Sequence, residues 1–140
     1  MNLRWQFENE GIDWATVASI LKTVGMASYD GPTHRTAFEN SRVQAFVFDE
    51  GQLIGFGRAI SDVVCQAAIY DVAVRPEYQG QGIGRTIVAE IMARLPNCNF
   101  ILYASPGKEG FYLRLGFRKM KTGMAWFKKA EDYAARGLVE

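Results

Sequence analysis

The stretch Arg75-Pro76-Glu77-Tyr78-Gln79-Gly80-Gln81-Gly82-Ile83-Gly84-Arg85 stands between an apolar run that ends at Val74 and a helical pattern that opens at Ile83. Its chemistry is that of an anion site. Glycines let the backbone turn tightly and gather successive N–H groups at one point, and the helix that follows adds its unpaired N–H groups and the positive end of its dipole. Phosphate oxygens are the natural ligand, although a glycine-rich helix entry can also serve packing alone. Spacing separates the phosphate loops: the dinucleotide fingerprint requires G-x-G-x-x-G, whereas Gly80, Gly82 and Gly84 give G-x-G-x-G. The nucleoside triphosphate loop requires G-x-x-x-x-G-K-[ST], and this stretch holds no lysine.

Three side chains elsewhere invite a chemical reading. Asp71 interrupts the apolar run Ala67 to Val74, and a lone carboxylate there is costly unless it is paired or wetted. Recognition of a cationic ligand is one reason for it, and a structural bond to backbone N–H groups is another. Tyr112 sits in Gly110-Phe111-Tyr112-Leu113-Arg114-Leu115-Gly116-Phe117, as a proton donor or as a core tyrosine bonded to a backbone carbonyl. His34, the single histidine, reads as a loop residue that either reaches a substrate or faces solvent.

Taken with its flanks, the glycine stretch resembles the coenzyme A loop of the Gcn5-related N-acetyltransferases (GNAT superfamily), with Gln79, Gly82 and Gly84 matching its pattern. Upstream, Tyr70 to Tyr78 is similar to that family's fourth strand and its exit; downstream, Gly110 to Phe117 is similar to its late tyrosine motif. The resemblance implies an α/β (α+β) fold with a mixed, mostly antiparallel central sheet, splayed at its central strands and flanked by helices. It also implies acetyl-CoA as co-substrate. Val72, Ala73 and Val74 would pair with the pantetheine arm. Amides from Gly80 through Gln81, Gly82, Ile83 and Gly84 to Arg85, with Gln79, would hold the pyrophosphate, and Arg85 and Arg114 would help or simply face water. Ser105 stands where the family often has an asparagine, and Ala68 where members with an early base have glutamate. A water relay is therefore the alternative to a side-chain base.

An acetyl thioester is already activated, so holding amine and carbonyl in line supplies much of the rate with no covalent intermediate. Three tasks remain: the amine must lose a proton, the developing oxyanion needs an N–H donor, and the leaving thiolate needs a proton. By resemblance, Tyr112 is the acid and the Val72 amide the oxyanion donor, with Asp71 the candidate for the amine. The expected acceptor pocket combines Met26 to Phe38, including Tyr29 and His34, with Phe56, Tyr70, Met124 and Trp126. This aromatic and apolar set suits a small-molecule amine. Acetylation of a protein lysine or N-terminus, and a non-catalytic acetyl-CoA-binding module, are the rival readings.

The elements that must position these residues follow from periodicity. Leu3, Trp5 and Phe7 alternate as a strand, and Asp13 caps a helix carrying Trp14, Val17, Ala18 and Leu21 up to Gly25. Met26 to Asn40 reads as a loop followed by a short helix around Arg35, Thr36 and Phe38. Val43 to Phe48 and Leu53 to Ala59 read as a hairpin turning at Asp49-Glu50-Gly51, and Ala67 to Val74 as a central strand. A helix runs from Gly82 to Leu95 before Pro96. Phe100 to Tyr103 reads as a buried strand, Glu109 to Leu115 as a helix, Phe117 to Met120 with Met124 to Phe127 as a closing hairpin, and Glu131 to Arg136 as further helical turns.

A length of 140 residues suits one domain over residues 1–140 with one core. Sixteen basic against fifteen acidic residues give +1, which offers no whole-molecule field to draw in nucleic acid or an anionic membrane. Cys65 and Cys98 lack metal-ligand spacing and are expected to be buried thiols, the alternative being a disulfide, with no metal site. The opening residues show no signal pattern and no apolar run reaches the roughly 20 residues that span a bilayer. A cytoplasmic protein with small partners is expected, a homodimer being left open.

Overall fold

The computed structural model describes all 140 residues. The chain divides into two compact units, Met1–Leu102 and Tyr103–Glu140.

The first unit is a five-stranded sheet in the order β1 (Leu3–Gln6), β2 (Val43–Asp49), β3 (Gln52–Ser61), β4 (Gln66–Val74) and β5 (Asn99–Ile101). The first four strands pair antiparallel in sequence, and β5 joins β4 in parallel after a helical crossover. The β2–β3 connection is Glu50-Gly51, both at positive φ (49° and 76°), the twist a two-residue hairpin demands.

Two helices cover one face. In α1 (Trp14–Thr23) the Asp13 carboxylate accepts the Ala15 N–H, and Val17, Ile20 and Leu21 turn inward. The helix α2 (Gly31–Glu39) begins earlier than its apolar spacing predicts. The Asp30 carboxylate accepts the Thr33 N–H and Pro32 occupies the first turn, a start signal written in Asp30-Gly31-Pro32. Phe38 then meets Phe46 and Phe56 at ring-centroid distances of 5.4 and 5.9 Å, with Trp14 5.4 Å from Phe38.

The other face receives α3 (Ile83–Ala93), whose Ile87, Val88 and Ile91 are buried. Glycine in β3 permits this closeness: a Cβ on Gly57 would lie 2.9 Å from Ile87 Cγ2, so a larger residue would push the helix away. Each of those isoleucines contributes roughly 1.5–3 kcal/mol by burial.

β5 is shorter and more exposed than the expected buried strand, with Ile101 50% exposed. It pairs only through Gln66–Ala68 with Asn99–Ile101. From Ile69 to Val74 the β4 edge on that side has no strand partner, which is the expected splay.

The second unit carries α4 (Glu109–Arg114) and α5 (Ala130–Ala135). α4 closes when the N–H of Phe117 bonds the carbonyl of Tyr112 (3.1 Å) and that of Gly116 the carbonyl of Leu113 (3.1 Å), the paired bonds of a glycine-terminated helix. The expected closing hairpin at 117–127 forms no strands. Met124 and Trp126 are 94% and 84% exposed, and two short strands with no buried face and no third strand gain too little to persist.

Candidate active site

The strand β4 carries a bulge at the residue singled out for its charge. Phe56 pairs with Ala73 and Arg58 with Tyr70, leaving Gly57 opposite both Asp71 and Val72. Asp71 takes the left-handed conformation, φ 57°, which aspartate tolerates far better than a β-branched residue. A bulge re-aims side chains and leaves one residue's backbone unpaired. In a regular strand Tyr70 and Asp71 would point to opposite faces, yet the Arg58 guanidinium reaches both. Its Nε donates to Asp71 Oδ2 at 2.8 Å and its carbon lies 5.1 Å from the Tyr70 ring centroid.

Arg58 Nη1 also donates to Ser41 Oγ at 3.1 Å, and Ser41 Oγ donates to the Ala37 carbonyl at 2.8 Å. The pair is mostly buried, with side-chain exposures of 14% for Arg58 and 22% for Asp71. Asp71 is therefore bonded to a guanidinium and not to the backbone N–H groups expected of a structural carboxylate. Its second oxygen has no protein partner and is not sealed from solvent. Gln44, opposite Arg58 on β2, presents a buried Oε1 without a hydrogen-bond partner, an acceptor that a donor-bearing ligand would satisfy.

His34 is neither in a loop nor solvent-facing. It lies on the inner side of α2, 3% exposed, where its Nε2 accepts the Tyr29 N–H at 2.9 Å. Burial pushes its pKa below the usual imidazole range; the Asp71 and Asp30 carboxylates pull it up, and Arg58 adds to the depression. Tyr29 is 61% exposed with its ring 5.6 Å from the imidazole. Phe56 belongs to the core and not to a pocket wall. It is fully buried among Phe38, Phe46 and Ala73, because its place on β3 faces the helices.

At the end of β4 the chain is tied to the β2–β3 hairpin. Arg75 Nε donates to the Leu53 carbonyl at 2.8 Å, and Tyr78 Oη donates to Asp49 Oδ2 at 2.6 Å. That bond holds the Asp49 carboxyl below its ordinary range and raises the Tyr78 phenol. Nothing in the spacing of the sequence announced this anchor. A 3₁₀ turn, Pro76–Tyr78, leads to Gln79, whose Nε2 donates to the Val74 carbonyl at 2.9 Å. Gly80 and Gly82 follow at φ 80° and 84°, and a Cβ on either would meet nothing within 4 Å. Gly82 occupies the cap position of α3 without any side-chain bond to the helix start. Ile83 is buried and fixes the helix, while Gln81, Gly82 and Arg85 are exposed. The first-turn N–H groups thus have no side-chain cap, and the β4 edge with Ala73 and Val74 precedes them in the chain. These residues fit a pyrophosphate followed by an extended, amide-bearing arm.

In the second unit Tyr112 lies between Phe111 and Phe117, at centroid distances of 4.9 and 5.7 Å. Burial raises its phenol pKa. Its hydroxyl makes no hydrogen bond to the protein, so the core-tyrosine alternative bonded to a carbonyl is not what the structure holds. Ser105 is exposed, and its carbonyl accepts the Lys108 N–H at 2.9 Å. The Lys128 ammonium lies 5.6 Å from the Trp126 ring. The structure therefore brings Tyr70 and Asp71 together on Arg58, leaves Tyr29 against His34 and Phe56 in the core, and adds Arg58, Ser41 and Gln44, which the sequence did not suggest.

Residues 41–119 match the family model described as the acetyltransferase (GNAT) domain. An uncharacterised N-acetyltransferase, ycf52, of Gracilaria tenuistipitata var. liui is 42% identical over 103 residues, 66% of this chain and 57% of that protein. Serotonin N-acetyltransferase 2, chloroplastic, of Oryza sativa subsp. japonica is 31% identical over 132 residues, 87% of this chain and 66% of that protein. The chain thus spans less than two thirds of either relative. Among solved structures, a probable acetyltransferase of meticillin-resistant Staphylococcus aureus superposes with TM-score 0.78 at 24% identity, covering 90% of this chain and 98% of that one.

Proposed function

This chain belongs to the GNAT acetyltransferase family, and from that premise we propose that it moves the acetyl group of acetyl-CoA to the primary amine of a small molecule by direct attack in a ternary complex. Membership supports acyl transfer and the use of acetyl-CoA; the activity, the acceptor and the order of events together are the proposal. The observation that carries it is the Asp71 carboxylate, held by Arg58 through one oxygen and open through the other. A fixed carboxylate with a vacant acceptor site recognises an ammonium group and helps strip its proton. The aromatic surroundings, Tyr70 and Tyr29, suit an organic body on that amine. The name of the rice relative, a serotonin N-acetyltransferase, supports the same class.

In this reading the two compact units act as one acetyltransferase domain. The first-turn amides of α3 hold the pyrophosphate by backbone N–H groups and the helix dipole, so the binding needs no lysine. The β4 edge aligns the extended arm, and the Val72 amide, at the bulge, donates to oxygen as negative charge develops there. Tyr112 returns a proton to the departing thiolate. An aliphatic ammonium, pKa about 10, is almost wholly charged at neutral pH, and Asp71 or water bound to it receives its proton.

No helix is long and apolar enough to cross a membrane. The rice relative is named chloroplastic, and a cytoplasmic site of action for this chain is part of the proposal. The test is acetyl-CoA turnover, read as released thiol, across free arylalkyl, alkyl and amino-sugar amines and lysine peptides. Turnover with free amines is expected. Turnover with peptides alone would replace the small-molecule reading, and cofactor binding without turnover on any amine would replace catalysis with sensing.

A further inference from the structure

Cys65 and Cys98 each stand one residue before a strand, β4 and β5, at the closed end of the fork between them. The parallel ladder sets Gln66 opposite Asn99, and the Asn99 N–H donates to the Cys65 carbonyl at 2.8 Å, which carries the register back one step to the two cysteines. Lateral neighbours on adjacent strands have Cα atoms about 5 Å apart, within the roughly 4.4–6.8 Å that a disulfide spans. Both thiols also touch one turn: Cys65 Sγ lies 3.4 Å from Asp62 Oδ2, and Cys98 Sγ lies 3.6 Å from Ser61 Oγ. That turn is firmly held. Asp62 Oδ1 accepts the N–H groups of Val64, Cys65 and Gln66 at 2.9, 2.9 and 3.0 Å, which brings its pKa down to about 2. Neither cysteine is the buried thiol its sequence suggested: both are free thiols, Cys65 exposed and Cys98 partly so.

We propose that Cys65 and Cys98 form a reversible intramolecular disulfide, with a low-molecular-weight disulfide as the oxidant. One protein thiolate attacks the oxidant's S–S bond and expels a small thiolate; the second attacks the resulting mixed disulfide and expels the other. Two protein thiols are oxidised, one small disulfide is reduced to two thiols, and two protons pass to the departing sulfurs. The new bond closes a loop that contains β4, the glycine stretch and α3, and it pins the fork where the strands are still paired, leaving the β4 edge from Ile69 onward open. Exposure makes such a crosslink readily reducible.

The full chain is incubated in graded ratios of oxidised to reduced glutathione, alkylated, and read by intact mass and peptide mapping. Asp62 raises the Cys65 thiol pKa, so the exchange is run at about pH 8.5, where thiolate accumulates. The expected product is a monomer that loses both thiols together and yields a Cys65–Cys98 linked peptide. Its melting temperature rises by about 5–10 °C, and reduced glutathione reverses the change. Cys65→Ser and Cys98→Ser each stop at a single glutathione adduct and lose the shift. The proposal is overturned if wild-type protein at the oxidising end keeps both thiols, stops at separate adducts, or links only between molecules.

Discussion

At Tyr112 the distinguishing fact is a phenol raised in pKa by burial, without a protein partner for its oxygen. An ordinary phenol, pKa about 10, already holds its proton at neutral pH, as an acid requires, and burial does not change that. Replacing Tyr112 by Phe keeps the ring contacts to Phe111 and Phe117, so stability should hold while turnover falls by roughly ten- to a thousandfold. Unchanged turnover at saturating amine, with chemistry rate-limiting, would return the residue to packing. Asp71 makes a different prediction, because removing its charge also strands Arg58. Asp71→Asn should lower stability by about 1–3 kcal/mol. It should also slow acetylation most at pH values where the amine is protonated, the defect shrinking as pH nears the amine's own pKa. Normal kinetics with the lowered stability would make the carboxylate structural.

Among the elements, the turn before α3 was legible because the positive φ of Gly80 and Gly82 is a backbone requirement that appears directly as glycine spacing. The bulge was legible only as an oddity, a carboxylate in an apolar strand. Its partner Arg58 lies on β3, and the register shift that joins them is a tertiary event with no local signature. The second helix hid its start because Gly31-Pro32 reads as loop as readily as helix entry, and only the Asp30 cap marks the boundary. Conversely, a four-residue alternation at 117–120 and 124–127 predicted strands that no neighbouring strand stabilises. The loop's own test is Gly82→Asp. It places a side chain and a negative charge where Gly82 sits at φ 84° before open N–H groups. Acetyl-CoA stabilises the wild type by mass action, and differential scanning of the variant should show that shift abolished. An equal shift in both proteins would move the phosphate site elsewhere.

For the molecule as a whole, the single histidine isolates one window of pH. His34 is neutral in the fold because burial depresses its pKa, against the pull of Asp71 and Asp30 and with the push of Arg58. The unfolded chain, with an ordinary imidazole pKa of about 6.5, binds the proton more readily, so unfolding gains as pH falls. The contribution of neutral His34 is therefore full above about pH 6.5 and diminishes below it until the folded pKa is passed. Asp62 acts in a separate window: with its pKa lowered to about 2, its contribution persists above about pH 4 and fades as pH falls toward that value. Protonation of His34 in the fold also converts Nε2 from acceptor to donor and breaks its bond to the Tyr29 N–H. The melting temperature of the wild type should fall between about pH 6.5 and 4.5 more steeply than that of His34→Gln, which cannot titrate. Parallel curves would mean that α2 opens enough for the imidazole to titrate in water, and that the wall beside Asp71 is looser than its 3% exposure indicates.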